Sequence, residues 1–287
     1  MRVIEFSHVQ KSYGPLSVLK DLSFSVTAGE MVGLLGPNGA GKSTTLDLIL
    51  GLKRHDQGEI TILGQTPGSL EIKKKLGCLP QELAFPAHLK VKEVIAMVAM
   101  IYGLNSPREL IERFGVGEFA EQLCGGLSGG QKRRLGLVLA FMAEPELVIL
   151  DEPTTGLDLH GKALMWDFLQ EYQKKGGTAL ITSHDLYELT QLAQSLVLLD
   201  QGKVLFAGAT ADILGRCQYR KVIFCGERRP ESPLIERHEL QSGRHICWTR
   251  SADQLVTEMV RQEFSFSNLH IEHGSLVEVF QVLRGQE

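Results

Sequence analysis

The residues best equipped for chemistry in this 287-residue chain lie in one run, Gly36-Pro-Asn-Gly-Ala-Gly-Lys-Ser-Thr44. Gly36 to Ser43 fits the pattern GxxxxGK[ST], in which glycines let successive backbone N–H groups converge on an anion. Such a loop cradles phosphate oxygens: Lys42 reaches the terminal phosphates and Ser43 offers a hydroxyl to Mg²⁺. A second chemical pair, Asp151-Glu152, closes the apolar run Leu147-Val-Ile-Leu150. Asp151 is suited to hold the cation, directly or through water, and Glu152 to orient and deprotonate an attacking water.

Both groups need a rigid edge. Met31 to Leu35 is a short apolar run of the kind a parallel strand shows when both faces are covered. It feeds the glycine loop, and Leu46, Ile49 and Leu50 then recur at helical spacing between residues 42 and 52, giving strand, loop, helix. The carboxylates end another such strand, at the edge where α/β sheets present ligands. Further strands are expected at 3–9, 22–26, 58–64, 76–79, 178–182 and 196–199, and helices at 91–102, 107–114, 129–143, 160–175 and 185–194. The expected fold class is α/β: a parallel-sheet core with an antiparallel β subdomain and a helical insert at about 85–127.

The texture changes after about residue 215. Strands are expected at 219–225 and 245–249, flanking a polar stretch at 227–243 that contains Pro230 and Pro233. Ser251 with Gln254, and Ser275 with Glu278, match capping boxes that start amphipathic helices. The expected organisation is a first domain at 1–215 and a small α+β domain at 216–287.

Composition narrows the function classes. Hydrophobic residues at 43% and charged residues at 22% exclude disorder. A net charge of −4 leaves no basic field to attract nucleic acid at random. The longest nearly apolar stretches, 94–104 and 135–143, are too short to span a bilayer. The opening MRVIEFSHVQKSYG lacks the apolar region of a secretory signal, so a cytoplasmic location is expected. Five cysteines without a CxxC pair predict neither a disulfide nor a cysteine metal site.

A third motif, Leu127-Ser-Gly-Gly-Gln131, is followed by Lys132, Arg133 and Arg134. Ser128 reads as a helix N-cap with a basic first turn, an arrangement that opposes the helix dipole and that a second anion would relieve. With this segment, residues 1–215 resemble the nucleotide-binding subunits of ATP-binding-cassette (ABC) transporters, P-loop ATPases whose signature LSGGQ is matched in full.

The resemblance implies roles position by position. Tyr13, in KSYG, would stack on adenine, with Val18 beside the nucleotide. Asn38, Gly39, Gly41, Lys42, Ser43 and Thr44 would surround the phosphates of ATP. Gln81, in CLPQE, would touch Mg²⁺ together with Ser43 and Asp151 and link the site to a membrane partner. Ser128, Gly130 and Gln131 would hold the nucleotide of an opposing subunit, and Asp158, in TTGLD, would cross that interface. His184, in ITSHD, would contact the γ-phosphate, completing a catalytic set with Glu152 and Lys42. The implied mechanism is a head-to-tail dimer, of two copies or of two different ATPase subunits, that closes on ATP and opens on hydrolysis. It would drive a separate membrane permease from the cytoplasmic face. The segment Ser275-Leu-Val-Glu-Val-Phe280 resembles the closing segment of exporter-type ATPases. The rival is a soluble ABC ATPase acting on ribosomes or DNA. A single cassette, no heptad run and the negative net charge count against it.

Overall fold

A computed structural model describes residues 1–183, 186–216 and 220–273. Strands β1 (Arg2–Tyr13) and β2 (Leu16–Thr27) form a long antiparallel hairpin whose inward residues interleave, with Phe6 and Phe24 stacked at 4.8 Å. Next come β3 (Met31–Leu35), every residue of it buried, and α1 (Lys42–Ile49), followed by β4 (Gln57–Ile62), which pairs with β1. Helix α2 (Leu70–Lys75), capped by Ser69, leads into β5 (Leu76–Leu79). Between β5 and the helix that carries Arg133 the chain is helical: α3 (Val91–Tyr102), α4 (Arg108–Arg113) and two short 3-10 turns. The pattern then alternates through α5 (Gly129–Phe141), β6 (Leu147–Asp151), α6 (Leu159–Lys174), β7 (Thr178–Thr182), α7 (Leu186–Leu192), β8 (Ser195–Asp200) and β9 (Lys203–Ala209).

These strands form one sheet in the order β4-β1-β2-β9-β8-β3-β7-β6-β5. From β8 to β5 every pairing is parallel, as is β2 with β9, whereas β9 runs antiparallel to β8, and β1 runs antiparallel to both β2 and β4. This is the expected fold class. The parallel strands read as unbroken apolar runs because helices cover both faces.

The chain divides into two compact units, Met1–Ala209 and Thr210–Glu287. The second contains α8 (Thr210–Arg216), β10 (Arg220–Cys225), β11 (Arg237–Gln241), β12 (Arg244–Thr249), α9 (Ala252–Arg261) and β13 (Ser267–His273). Its antiparallel sheet runs β11-β12-β10-β13, and α9 buries Leu255 and Met259 against Val222, Phe224 and Cys247. Two expectations need correction here. The polar stretch 227–243 contains β11, an edge strand whose residues stay half-exposed and so carry no apolar alternation. Ser251 forms no capping box: its N–H donates to Thr249 Oγ1 at 3.1 Å, and its side chain caps nothing. The helix expected from Ser275 lies outside the described residues. Among them, no helix is long and apolar enough to cross a membrane.

Candidate functional site

Register across three neighbouring strands builds the site. In the parallel ladder Leu34 of β3 pairs with Thr182 of β7, and Thr182 pairs with Asp151 of β6. The glycine loop, the segment after Thr182 and the Asp151-Glu152 pair therefore leave the sheet at one level along its carboxyl edge. The loop has no room for side chains at its hinges. A Cβ on Gly36 would lie 2.6 Å from the Leu199 carbonyl oxygen, and one on Gly41, at φ 108°, would lie 2.6 Å from Leu19. Gly41 is also the N-cap of α1, so no side chain occupies the first-turn amides.

Lys42 Nζ donates to the carbonyls of Gly36 at 2.6 Å and Pro37 at 3.2 Å, which folds the ammonium over the loop. Burial lowers its pKa, while Glu152 and Asp151 pull it back up. Burial raises the pKa of Asp151, Thr182 opposes that shift, and the neighbouring Glu152 charge adds to it. Two carboxylates and one ammonium, all half-buried, thus share one edge of the sheet. Ser43 and Asn38 are exposed beside them.

Thr182 orients both carboxylate residues, a role that sequence reading missed because the residue looks like an ordinary strand end. Its buried hydroxyl donates to Asp151 Oδ1 at 2.5 Å and accepts from the Glu152 N–H at 2.9 Å. Glu152 itself sits at φ 48°, a left-handed conformation uncommon for a non-glycine residue, and its Oε2 accepts from Thr155 Oγ1 at 3.3 Å. The loop beyond is anchored by Thr154, whose hydroxyl donates to the buried Glu188 at 2.7 Å, and Glu188 also accepts from Lys162 at 2.6 Å.

Tyr13 ends β1 at 40% exposure, with Lys11 Nζ 5.5 Å from its ring centroid. Leu16 pairs with Tyr13 across the hairpin, and two residues on the Val18 carbonyl lies 3.6 Å from where a Gly41 Cβ would be. Gln81 is exposed just after β5. His184 lies outside the described residues.

The LSGGQ residues form a separate group. Ser128 Oγ accepts from the Gln131 N–H at 3.2 Å and Gln131 Oε1 accepts from the Ser128 N–H at 2.9 Å, a closed capping box. Asp158 caps α6 through the Gly161 N–H at 2.8 Å. Ser128, Gly130, Gln131 and Asp158 line one cleft of about 830 Å³ with Arg113 and His160, and none of Lys42, Asp151 or Glu152 lines it. The basic turn is not the solvated anion trap that its charges suggest. Arg133 is 3% exposed and bonded to backbone carbonyls, and Arg134 lies over the Phe119 ring at 5.1 Å.

The donor set fits a nucleotide with Mg²⁺. Among the described residues no cluster of three His, Cys, Asp or Glu could hold a metal unaided. One carboxylate, Asp151, beside a phosphate-binding loop is the arrangement Mg²⁺ tolerates, because it keeps waters and phosphate oxygens as its other ligands.

Comparison with known proteins agrees with this geometry. The family model described as ABC transporter matches residues 19–155. Nod factor export ATP-binding protein I of Rhizobium etli is 34% identical over 301 residues, covering 100% of this chain and 95% of that protein. Linearmycin resistance ATP-binding protein LnrL of Bacillus subtilis is 36% identical over 222 residues, 75% of this chain and 71% of its own. A solved ATP-binding subunit of an ABC transporter superposes with a TM-score of 0.70 at 31% identity, over 75% of this chain and 92% of that one.

Proposed function

The chain belongs to the ATP-binding subunits of exporter-type ABC transporters, and from that premise we propose that it hydrolyses ATP between two head-to-tail subunits to drive a separate membrane permease. The observation that carries the dimer reading is the separation of the two half-sites. Lys42, Asp151 and Glu152 gather at the sheet edge, while Ser128, Gly130 and Asp158 line a different cleft of the same chain. Two copies related by a two-fold axis would bring each half opposite its complement. The relatives named for export and resistance favour a transporter over a soluble ATPase acting on ribosomes or DNA, and export over uptake.

In this reading Tyr13 and Val18 hold the adenine, and the amides from Asn38 to Thr44 hold the phosphates. Lys42 turns from the Gly36 and Pro37 carbonyls to the terminal phosphate oxygens, a short swing that exchanges neutral acceptors for charged ones. Ser43, Gln81 and Asp151 would hold Mg²⁺, which when bound would neutralise phosphate charge. Glu152 accepts the proton of the attacking water as that water's oxygen bonds the γ-phosphorus and the bond to ADP breaks. His184 contacts the γ-phosphate. Thr182 keeps Asp151 and Glu152 in register throughout. Residues 1–215 form the ATPase domain and residues 216–287 a domain that acts on assembly, not on chemistry. Docked on its permease, the chain works peripherally at the cytoplasmic membrane face.

Glu152→Gln tests this reading, since it removes the base while keeping shape. Turnover should fall by roughly 10² to 10⁴, the usual worth of a positioned general base. Light scattering should show the variant as a dimer in Mg-ATP and a monomer without it. Wild-type phosphate release from the variant would remove Glu152 from its role; an inactive variant that stays monomeric in ATP would contradict the homodimer.

A further inference from the structure

Arg133 is the fifth residue of α5, one of three consecutive cations near the helix start, the end whose dipole disfavours positive charge, and it is 3% exposed. Burying a guanidinium there is costly unless its donors and charge are met. Its donors meet two separate loops. Nη1 donates to the Pro80 carbonyl at 2.8 Å and Nη2 to the Gln81 carbonyl at 3.2 Å, while Nε donates to the Thr155 carbonyl at 3.4 Å. Burial outweighs the nearby charges of Asp151 and Glu152, which offset only part of the desolvation of the guanidinium. One planar group therefore bridges the segment after β5, which carries Gln81, and the segment after β6, which runs from Glu152 to Asp158.

We propose that Arg133 is a positioning residue that straps the Gln81 loop to the Thr155–Asp158 loop, so that a displacement of either is carried to the other. Its meaning for transport rests on the ATPase reading above: Gln81 is the candidate contact for metal and permease, and Asp158 the candidate contact across the dimer. Lysine cannot substitute, because one ammonium on a flexible stem does not present the rigid fork that spans three carbonyls. The strap explains why the middle cation of the Lys132-Arg133-Arg134 run is buried and not solvated.

The first test needs no nucleotide. Amide hydrogen exchange is followed in the full chain for wild type, Arg133→Met and Arg133→Lys. Segments 82–84 and 154–158 should both exchange faster, on the order of tenfold, with the middle of α5 and β6 unchanged. Loss of protection in only one segment, or in neither, overturns the strap, and so does a general rise across the core. If Arg133→Met does not fold, Arg133→Lys is decisive alone, since it keeps the charge and loses the fork. The second test is steady-state ATP hydrolysis. Arg133→Lys should lower kcat on the order of tenfold with KM for ATP within about twofold, because the strap orders the reacting loops and touches no part of the nucleotide. Combined with Gln81→Ala it should add less damage than it does in the wild type, since part of its effect acts through the Gln81 loop. Additive losses overturn the proposal. A wild-type chain that never hydrolyses ATP would overturn the ATPase reading and leave the exchange result to decide the strap.

Discussion

The carboxyl edge of β3, β7 and β6 and the small sheet of β10 to β13 both bury polar groups, and they treat them in opposite ways. At the edge, Asp151 is pushed toward its neutral form by burial and by Glu152, and Lys42 toward its own neutral form by burial. In the small sheet the buried His245 is fully met. Its ring stacks on Phe224 at 5.2 Å, its Nε2–H donates to the Gly226 carbonyl at 3.2 Å, and its Nδ1 accepts from His238 at 2.9 Å. The first region holds charge that a polyanion with its cation would settle; the second is settled already. Charge left unbalanced marks a binding edge, and polar groups closed on themselves mark a scaffold.

Removing the centre of the scaffold should sharpen the contrast most. Phe224 is fully buried between Phe264, Phe266 and His245. Phe224→Ala should destabilise the second unit by about 3 to 5 kcal/mol in a urea titration. ATP affinity should stay within about twofold. A comparable loss of ATP binding would show that the two units are not independent.

Sequence made the edge legible for a physical reason. Gly36, Gly41, Lys42, Asp151 and Glu152 are chemically constrained residue by residue, and the strands before them are apolar on both faces, so type, spacing and element coincide. The scaffold was half legible. β10 and β12 carry apolar positions, and β11 is an edge strand of largely polar residues that no alternation betrays. β13, the other edge, does alternate, with Leu269 and Ile271 between Asn268, His270 and Glu272, a short signal that went unread. What spacing could not reveal was pairing at a distance. Thr182 and Arg133 work through partners 22 to 53 residues away, and a threonine at a strand end or an arginine in a basic turn looks unremarkable until those partners arrive.

A smaller effect concerns the rim of the binding edge. Tyr13→Ala should weaken ATP binding by about 1 to 3 kcal/mol, the worth of base–aromatic stacking, and Tyr13→Phe should bind nearly as wild type. Equal large losses from both, measured by fluorescent-nucleotide titration, would assign the effect to the hydroxyl and erase the stacking contact.

The smallest expected effect is pH-dependent and belongs to the scaffold. Burial, His245 and Arg229 hold the His238 pKa below 6.5, with Glu239 opposing. A base whose folded pKa is depressed takes up fewer protons folded than unfolded, so its contribution favours the folded state above 6.5 and is eroded as pH falls below that value. The melting temperature of the second unit should therefore fall between about pH 7 and pH 5, and His238→Phe should flatten that dependence. An unchanged slope in the variant would remove the histidine pair from the account.

The most direct test of the composite site is mixing. Lys42→Ala destroys the phosphate-loop half and Ser128→Arg the LSGGQ half, and each variant alone should lose ATP turnover by about 10² or more. In a head-to-tail pair of one chain of each kind, one site carries both lesions and the other carries neither. An equimolar mixture should then recover about a quarter of wild-type phosphate release, since about half the dimers are mixed and each has one intact site. A mixture as inactive as its components would mean that Lys42 and Ser128 serve the same nucleotide within one chain, and the two-chain site would be wrong.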